Sequence, residues 1–291
     1  MITFEGEFLN GAKWTGKGYN NKGEIEFELV NGNGKIKEYN FFGILLFDGK
    51  YLNGKRHGKG KEYNNEGELI FEGNYSEGIR DGYAKLYNEG KLIFKGKYSD
   101  GKIKGYGDEY YNGKIIFKGL YNGNLRDGNG EEYNNENKIL ISGKYSNGKM
   151  WNVKGYDNKG NIEFELINGN GKGKQYSKGK LKYESEFLNG NKHGKGKEYN
   201  DEGKLIFEGN FLYDLANGIG KEYNNEGKLI FEGEYLNGKR HGKGKEYNNE
   251  GKLIFKGEYS NGIRWNGKGK EYDNKEIIFE GDYKNGKIVV N

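Results

Sequence analysis

The 291-residue chain has no cysteine and no proline, and only three histidines and two methionines. Without cysteine there is no disulfide framework, no thiolate metal site and no cysteine nucleophile. That fits a reducing compartment, and a cytoplasmic, intracellular location is the expectation, with membrane or cytoskeletal association as its variants. No run of about 18 apolar residues occurs, and no basic-then-apolar leader follows Met1, so neither a transmembrane helix nor a signal peptide is expected. One-sided charge is also missing. The 48 basic and 43 acidic residues are interspersed and leave a net charge of +5, so no basic stripe marks a nucleic-acid partner. Hydrophobic residues make up 33% even with tyrosine counted, too few for a thick three-layer core. What is abundant is glycine (53), tyrosine (25) and phenylalanine (16). The chain must bury rings.

Self-similarity explains the bias. The phrase Phe231-Glu-Gly-Glu-Tyr-Leu-Asn-Gly-Lys-Arg-His-Gly-Lys-Gly-Lys-Glu-Tyr-Asn248 recurs from end to end. The position two after its phenylalanine runs Gly6, Leu29, Gly49, Gly73 and onward to Gly257 and Gly281, at spacings of 19 to 24 residues. Twelve full units and a final partial one result, with no break in composition. A single repeat domain over 1–291 is the expectation.

Each unit divides into two short strands. In the first, Leu229, Phe231, Gly233 and Tyr235 alternate with Ile230, Glu232 and Glu234. The second runs from Gly242 to Tyr247. A longer turn at 237–241 and a shorter one at 248–251 carry Asn and Gly where positive φ is needed; Asn137 replaces one such glycine. No helix or parallel crossover fits into so short a unit. The predicted fold is all-β: an elongated, twisted, single-layer antiparallel sheet of stacked hairpins. Strand glycines are costly, and Phe231-x-Gly233-x-Tyr235 explains them as a hole between two rings that a neighbouring ring can cover. Whether Tyr247 joins that face or the opposite one depends on a bulge at a glycine. Two stubby units, at 27–40 and 164–177, lack four residues around the long turn. Trp14 to Tyr39 also matches Trp151 to Tyr176 at an offset of 137, as duplication of a six-unit block would leave.

The unit at 231–244 and at 47–60 resembles a MORN repeat, and the resemblance covers essentially the whole chain. It implies a grooved sheet of stacked hairpins in a scaffold, an adaptor or a membrane-contacting protein, with no active site of its own. The second strand departs from the typical unit by showing one tyrosine where two are usual. The 24-residue unit also resembles a bacterial variant linked to immunity or antitoxin proteins.

Candidate chemistry is sparse. Gly16-x-Gly18 and Gly32-x-Gly34 lack the strand-to-helix context of a phosphate loop, so no small-molecule cofactor is expected. His57, His193 and His241 occupy one repeat position in separate units, which argues for turn roles and against a metal. Carboxylates such as Glu232 and Glu234 are matched by Lys243 and Lys245, as in ordinary sheet solubilisation, so no enzyme is expected. Trp14, Trp151 and Trp265 lie in long turns; packing over those turns is favoured over an interface role. Because one layer leaves a side open, the ring ladder is expected to line a groove for a protein partner: Phe71, Tyr75, Phe94, Tyr98, Phe117, Tyr121, Phe207, Phe231, Tyr235, Phe255 and Tyr259. The resulting reading is a non-catalytic scaffold or adaptor. Its alternatives are anionic lipid binding through Lys55, Arg56, Lys239 and Arg240, and toxin binding by an immunity-type protein. Unpaired terminal strands, near Met1 to Phe4 and Asp282 to Val290, add an expectation of weak homo-association.

Overall fold

The computed structural model describes residues 4–20, 22–273 and 276–289; Met1 to Thr3 and Val290 of the expected edge strands lie outside them. The described residues form 26 strands and no helix. All the strand pairs described are antiparallel and join neighbours in sequence, with two interruptions in the ladder. The predicted all-β hairpin array is what forms. By contacts the chain divides into two compact units, one of 1–139 with 145–148 and one of 140–144 with 149–291, so the division falls within the strand Ile139–Ser146.

In the first unit, a three-stranded sheet runs from Phe4–Leu9 to Ile25–Leu29, and a second begins at Gly34–Tyr39 and continues in chain order through Leu125–Tyr133. In the second unit, Ile162–Leu166 pairs with Lys149–Tyr156, and an eleven-stranded sheet then runs from Gly171–Ser177 to Lys287–Val289. Both interruptions fall in the stubby hairpins. Their ladders are reduced to single bridges, Val30 with Asn33 and Ile167 with Asn170. Leu29, Ile36 and Leu166 are buried there, in units that lack the Gly-x-Tyr pattern.

The hairpin at 229–247 shows how the sequence sets the geometry. Its strands are Leu229–Leu236 and Lys239–Tyr247, so the second begins three residues before the predicted Gly242. Asn237 and Gly238 both have positive φ, 51° and 80°, and close a two-residue turn that matches strand twist. What reads as a five-residue loop is therefore a tight turn followed by a bulge, at which the register shifts between Gly233 and Tyr235. Opposite Phe231, Gly233 and Tyr235 stand Glu246, Gly244 and Arg240. These six residues make one face. At the shorter turn, Asn248 Oδ1 accepts from the backbone N–H groups of Glu250 and Lys252, 3.0 and 2.9 Å away. Asn137 takes the glycine position of the equivalent turn with φ 60°.

The core is a layer of interlocked rings on that face. Phe231 meets Tyr235 of its own strand at 5.5 Å between centroids and Tyr259 of the next unit at 5.0 Å, both edge-on. In the first unit Tyr75 sits edge-on to Phe71 and to Phe47, at 5.4 Å in each case. Edge-to-face contact suits the ring quadrupoles. The facing glycines make room: a Cβ on Gly244 would lie 2.6 Å from Phe231 Cζ, and one on Gly60 2.7 Å from that of Phe47.

Candidate interaction face

The ring layer is lidded by charge. Arg56, Arg80, Arg126 and Arg240 lie over Phe47, Phe71, Phe117 and Phe231, with guanidinium carbons 3.8 to 4.3 Å from the ring centroids. Each arginine also bridges units. Arg56 binds Glu38 of the preceding unit at 2.9 Å and Glu62 of its own at 3.4 Å; Arg126 binds Glu109 and Glu132, both at 2.8 Å. Arg240 is held between Glu222 and Glu246 in the same way. Tyrosine hydroxyls complete the lid: Tyr75 donates to Glu62, Tyr121 to Glu109 and Tyr259 to Glu246. Burial alone would raise the carboxyl pKa values of Glu38, Glu62, Glu109 and Glu246. Their arginine and tyrosine partners outweigh it, and all four lie below the ordinary value. Glu132 goes the other way, because complete burial outweighs Arg126 and Tyr145. This lid is an ion-pair network that joins neighbouring units.

The eleven aromatic residues expected to line a groove all fall within this layer, at 0 to 8% exposure. They are the core. Rings of adjacent units cover one another, and arginines lie over Phe71, Phe117, Phe231 and Phe255, while the units of Phe94 and Phe207 carry Ile103 and Ala216 at the arginine position. Of the four basic residues expected at lipid, Arg56 and Arg240 point into the lid, and Lys55 pairs with Glu77 at 3.0 Å. Lys239 remains exposed.

The opposite face is open and polar. Lys245 faces Glu232 across strands and pairs with it at 2.9 Å, and Tyr247 donates to the same carboxylate at 2.9 Å. Tyr247 thus stands opposite the core rings. Concave surfaces of about 760, 700 and 610 Å³ lie along this side. Their floors are the backbone of the ladder glycines and their walls are chiefly lysines and acids, joined by Tyr63 and Tyr83 in the one of 700 Å³. The one in the first unit is lined by Lys35, Lys50, Lys59, Lys61, Lys85 and Lys95 against only Asp48 and Glu72. Tyr83 on its wall is 67% exposed. Sequence reasoning missed this excess because it counted charge over the whole chain. The structure sorts many of the acids to the lid and leaves lysines outside.

Two other features stand out. Phe41 and Phe42 are 99% and 83% exposed at the tip of a short turn, where equivalent turns carry pairs such as Asn65-Glu66 and Asn249-Glu250. The histidines stay apart in the long-turn bulges, each with a buried Nδ1 that has no hydrogen-bond partner. Among the described residues no group of three or more histidines and acids could hold a metal ion. The tryptophans stay near their turns. Trp14 packs on Gly32 and Gly54, and Trp265 on Gly286, while Trp151 offers its carbonyl to the N–H of Gly169.

A family model for the MORN repeat matches residues 47–68, 71–90, 183–204, 207–228 and 231–252. The chain carries five MORN repeats. The five matched units carry Phe-x-Gly-x-Tyr or close variants in their first strands; the stubby units lie outside the matches, as do the units beginning at Phe94, Phe117 and Phe255. MORN repeats serve in protein and membrane interactions and are generally non-enzymatic. A comparison with curated proteins finds no match. Among solved structures, a chain in the crystal structure of TcdB2-TccC3-Cdc42 is similar at 13% identity and a TM-score of 0.20, covering 92% of this chain and 15% of that one. At that TM-score the likeness bears on neither fold nor function.

Proposed function

We propose that the protein is a non-catalytic intracellular scaffold that takes a protein partner on its open, lysine-rich face. One observation carries the reading: the rings are buried against one another, in most units beneath an arginine–glutamate lid, whereas the opposite face is concave, glycine-floored and lined by lysines and acids that stay at the surface. Concavity with charged walls and exposed tyrosine is what a protein interface offers before its partner arrives. The partner is proposed to meet Lys59, Tyr83 and Lys85 of the first unit rather than the phenylalanines.

Affinity capture from the native host tests this with the wild-type chain and a Lys59→Glu/Lys85→Glu double variant. The expected result is a protein retained by the wild type and lost by the variant at unchanged melting temperature. A captured protein that the variant retains fully would overturn the open-face reading. Capture of anionic vesicles in place of any protein would redirect it to lipid.

A further inference from the structure

In the second unit, one row of the open face alternates in charge from strand to strand. Cross-strand partners run Lys174, Glu184, Lys197, Glu208, Lys221, Glu232 and Lys245. The next partner should be an acid. It is Lys256, which faces Lys245 on one side and Lys268 on the other, and Lys268 in turn faces Asp282. Like charges directly opposite one another destabilise a sheet, and here three lysines stand on three successive strands. Elsewhere the same repeat position, directly after the ladder phenylalanine, carries an acid at Glu72, Glu208 and Glu232 and a lysine at Lys95 and Lys118, but only here, among the described residues, do three lysines follow one another across strands. Lys245 is held by Glu232, but among the described residues neither Lys256 nor Lys268 forms an ion pair. All three line the concave surface of about 610 Å³, floored by Gly233, Gly244 and Gly257.

We infer that this lysine triplet is a binding site for an acidic segment of a protein partner, laid extended across the glycine floor. The inference deepens the open-face reading and rests on it. Three observations choose the occupant. With Lys256 and Lys268 free of ion pairs, the triplet places an excess of positive charge over about 10 Å, from the spacing of three strands, a length that a few extended residues span. Glu232 and Glu258 share the same walls, so a uniformly negative surface, whether membrane or nucleic-acid backbone, would meet repulsion that discretely placed carboxylates avoid. Lysine also supplies point charges, while the planar forks that match phosphate bidentately are tied up as Arg240 and Arg264 in the lid. The glycine floor lets an extended backbone lie close.

Lys256→Glu supplies the test, because it restores the alternation from Lys245 through Asp282. It should raise the melting temperature by about 1–2 °C, the scale of one surface pair, and weaken binding of a glutamate-rich synthetic peptide by about tenfold or more. Wild-type binding should weaken steeply with salt. Lys159→Glu, the same change of net charge on an exposed turn, should leave peptide binding unchanged. Equal loss with Lys159→Glu would show attraction to the whole chain and overturn the site. So would Lys256→Glu with undiminished peptide binding, or inorganic phosphate or phosphatidylserine vesicles that compete as well as the peptide does. If no peptide binds while Lys59→Glu/Lys85→Glu still abolishes capture, the acidic-segment inference fails and the open-face reading stands.

Discussion

The hydroxyl of Tyr235 donates to Glu222 Oε1 of the preceding unit at 2.6 Å, while its ring sits edge-on to Phe207 of that unit at 5.2 Å. One side chain therefore joins neighbouring hairpins through both packing and charge. Arg240 binds the same carboxylate from the other side, which makes each unit's stability depend on the one before it, as in other linear repeats. Tyr235→Phe keeps the ring and removes the donor. It should cost about 1.5–3 kcal/mol, the range for a hydrogen bond to a charged group. Glu222→Gln should cost more, since Arg240 loses its ionic partner as well. A double-mutant cycle by urea denaturation should return a coupling of about 0.5–1.5 kcal/mol. Strict additivity would show that the hydrogen bond contributes nothing to joining the units.

The glycine ladder makes a second, sharper demand. A Cβ on Gly233 would fall 2.6 Å from Gly244 Cα, 2.7 Å from the Lys243 carbonyl oxygen and 2.8 Å from Phe231 Cζ. Two of these are backbone atoms and cannot yield by a rotamer change. Gly233→Val should therefore destabilise by about 1–3 kcal/mol through overpacking, against its better strand propensity. Gly251 is the contrast: φ is +81°, nothing lies within 4 Å of a Cβ, and asparagine tolerates that conformation. Gly251→Asn should cost a few tenths of a kcal/mol. Equal melting temperatures for the two variants would remove the interlock as the reason for the strand glycines.

Much of this architecture was legible in the sequence because period-two alternation and the Asn-Gly turns are local signals. The pairing of Phe231 with a glycine hole could be read from three residues. The burial of those rings could not. Phe231 is covered by Tyr259, 28 positions away, and by Arg240, which seemed to belong to a loop. The tight turn at Asn237-Gly238 was visible as a dipeptide, yet the residues after it concealed a bulge that carries Arg240 back over the ring. The division of the acids was hidden for the same reason: strand parity separates Glu246 from Glu232, but only the arginine lid shows which carboxylates are consumed.

Acid should dissolve that lid. Glu38, Glu62, Glu109 and Glu246 have folded-state pKa values below the ordinary 4.5. A depressed carboxyl pKa contributes stability that is fully present above 4.5 and is lost as pH falls through the folded value. Glu132, raised by burial, has the opposite sign and offsets part of the loss. Melting temperature should be flat from neutral pH down to about 5 and fall steeply towards about 3. Glu62→Gln should lower stability at neutral pH and flatten the acid limb. A melting temperature that is unchanged at about pH 3 would show that the lid contributes no net stability.

Alkali acts on the same network through its phenols. Burial first, and the carboxylates they donate to next, push Tyr75, Tyr121, Tyr235 and Tyr259 far above the ordinary 10. On the open face, burial and the hydrogen bond to Glu208 push Tyr223 up to about 12. A phenol whose pKa is raised in the folded state contributes stability that is complete below 10 and is lost as pH rises above it. The folded protein should therefore show two tyrosine populations in an ultraviolet titration. Rings outside the ladder should ionise first and reversibly. The ladder tyrosines should appear only as the sheet unfolds, in one step coincident with loss of the far-ultraviolet circular dichroism signal. Tyr235→Phe should shrink the second step without moving the first. Smooth ionisation of all 25 tyrosines near pH 10 with the circular dichroism intact would mean that the ladder hydroxyls reach solvent, and that the lid of arginine and glutamate does not seal the ring face.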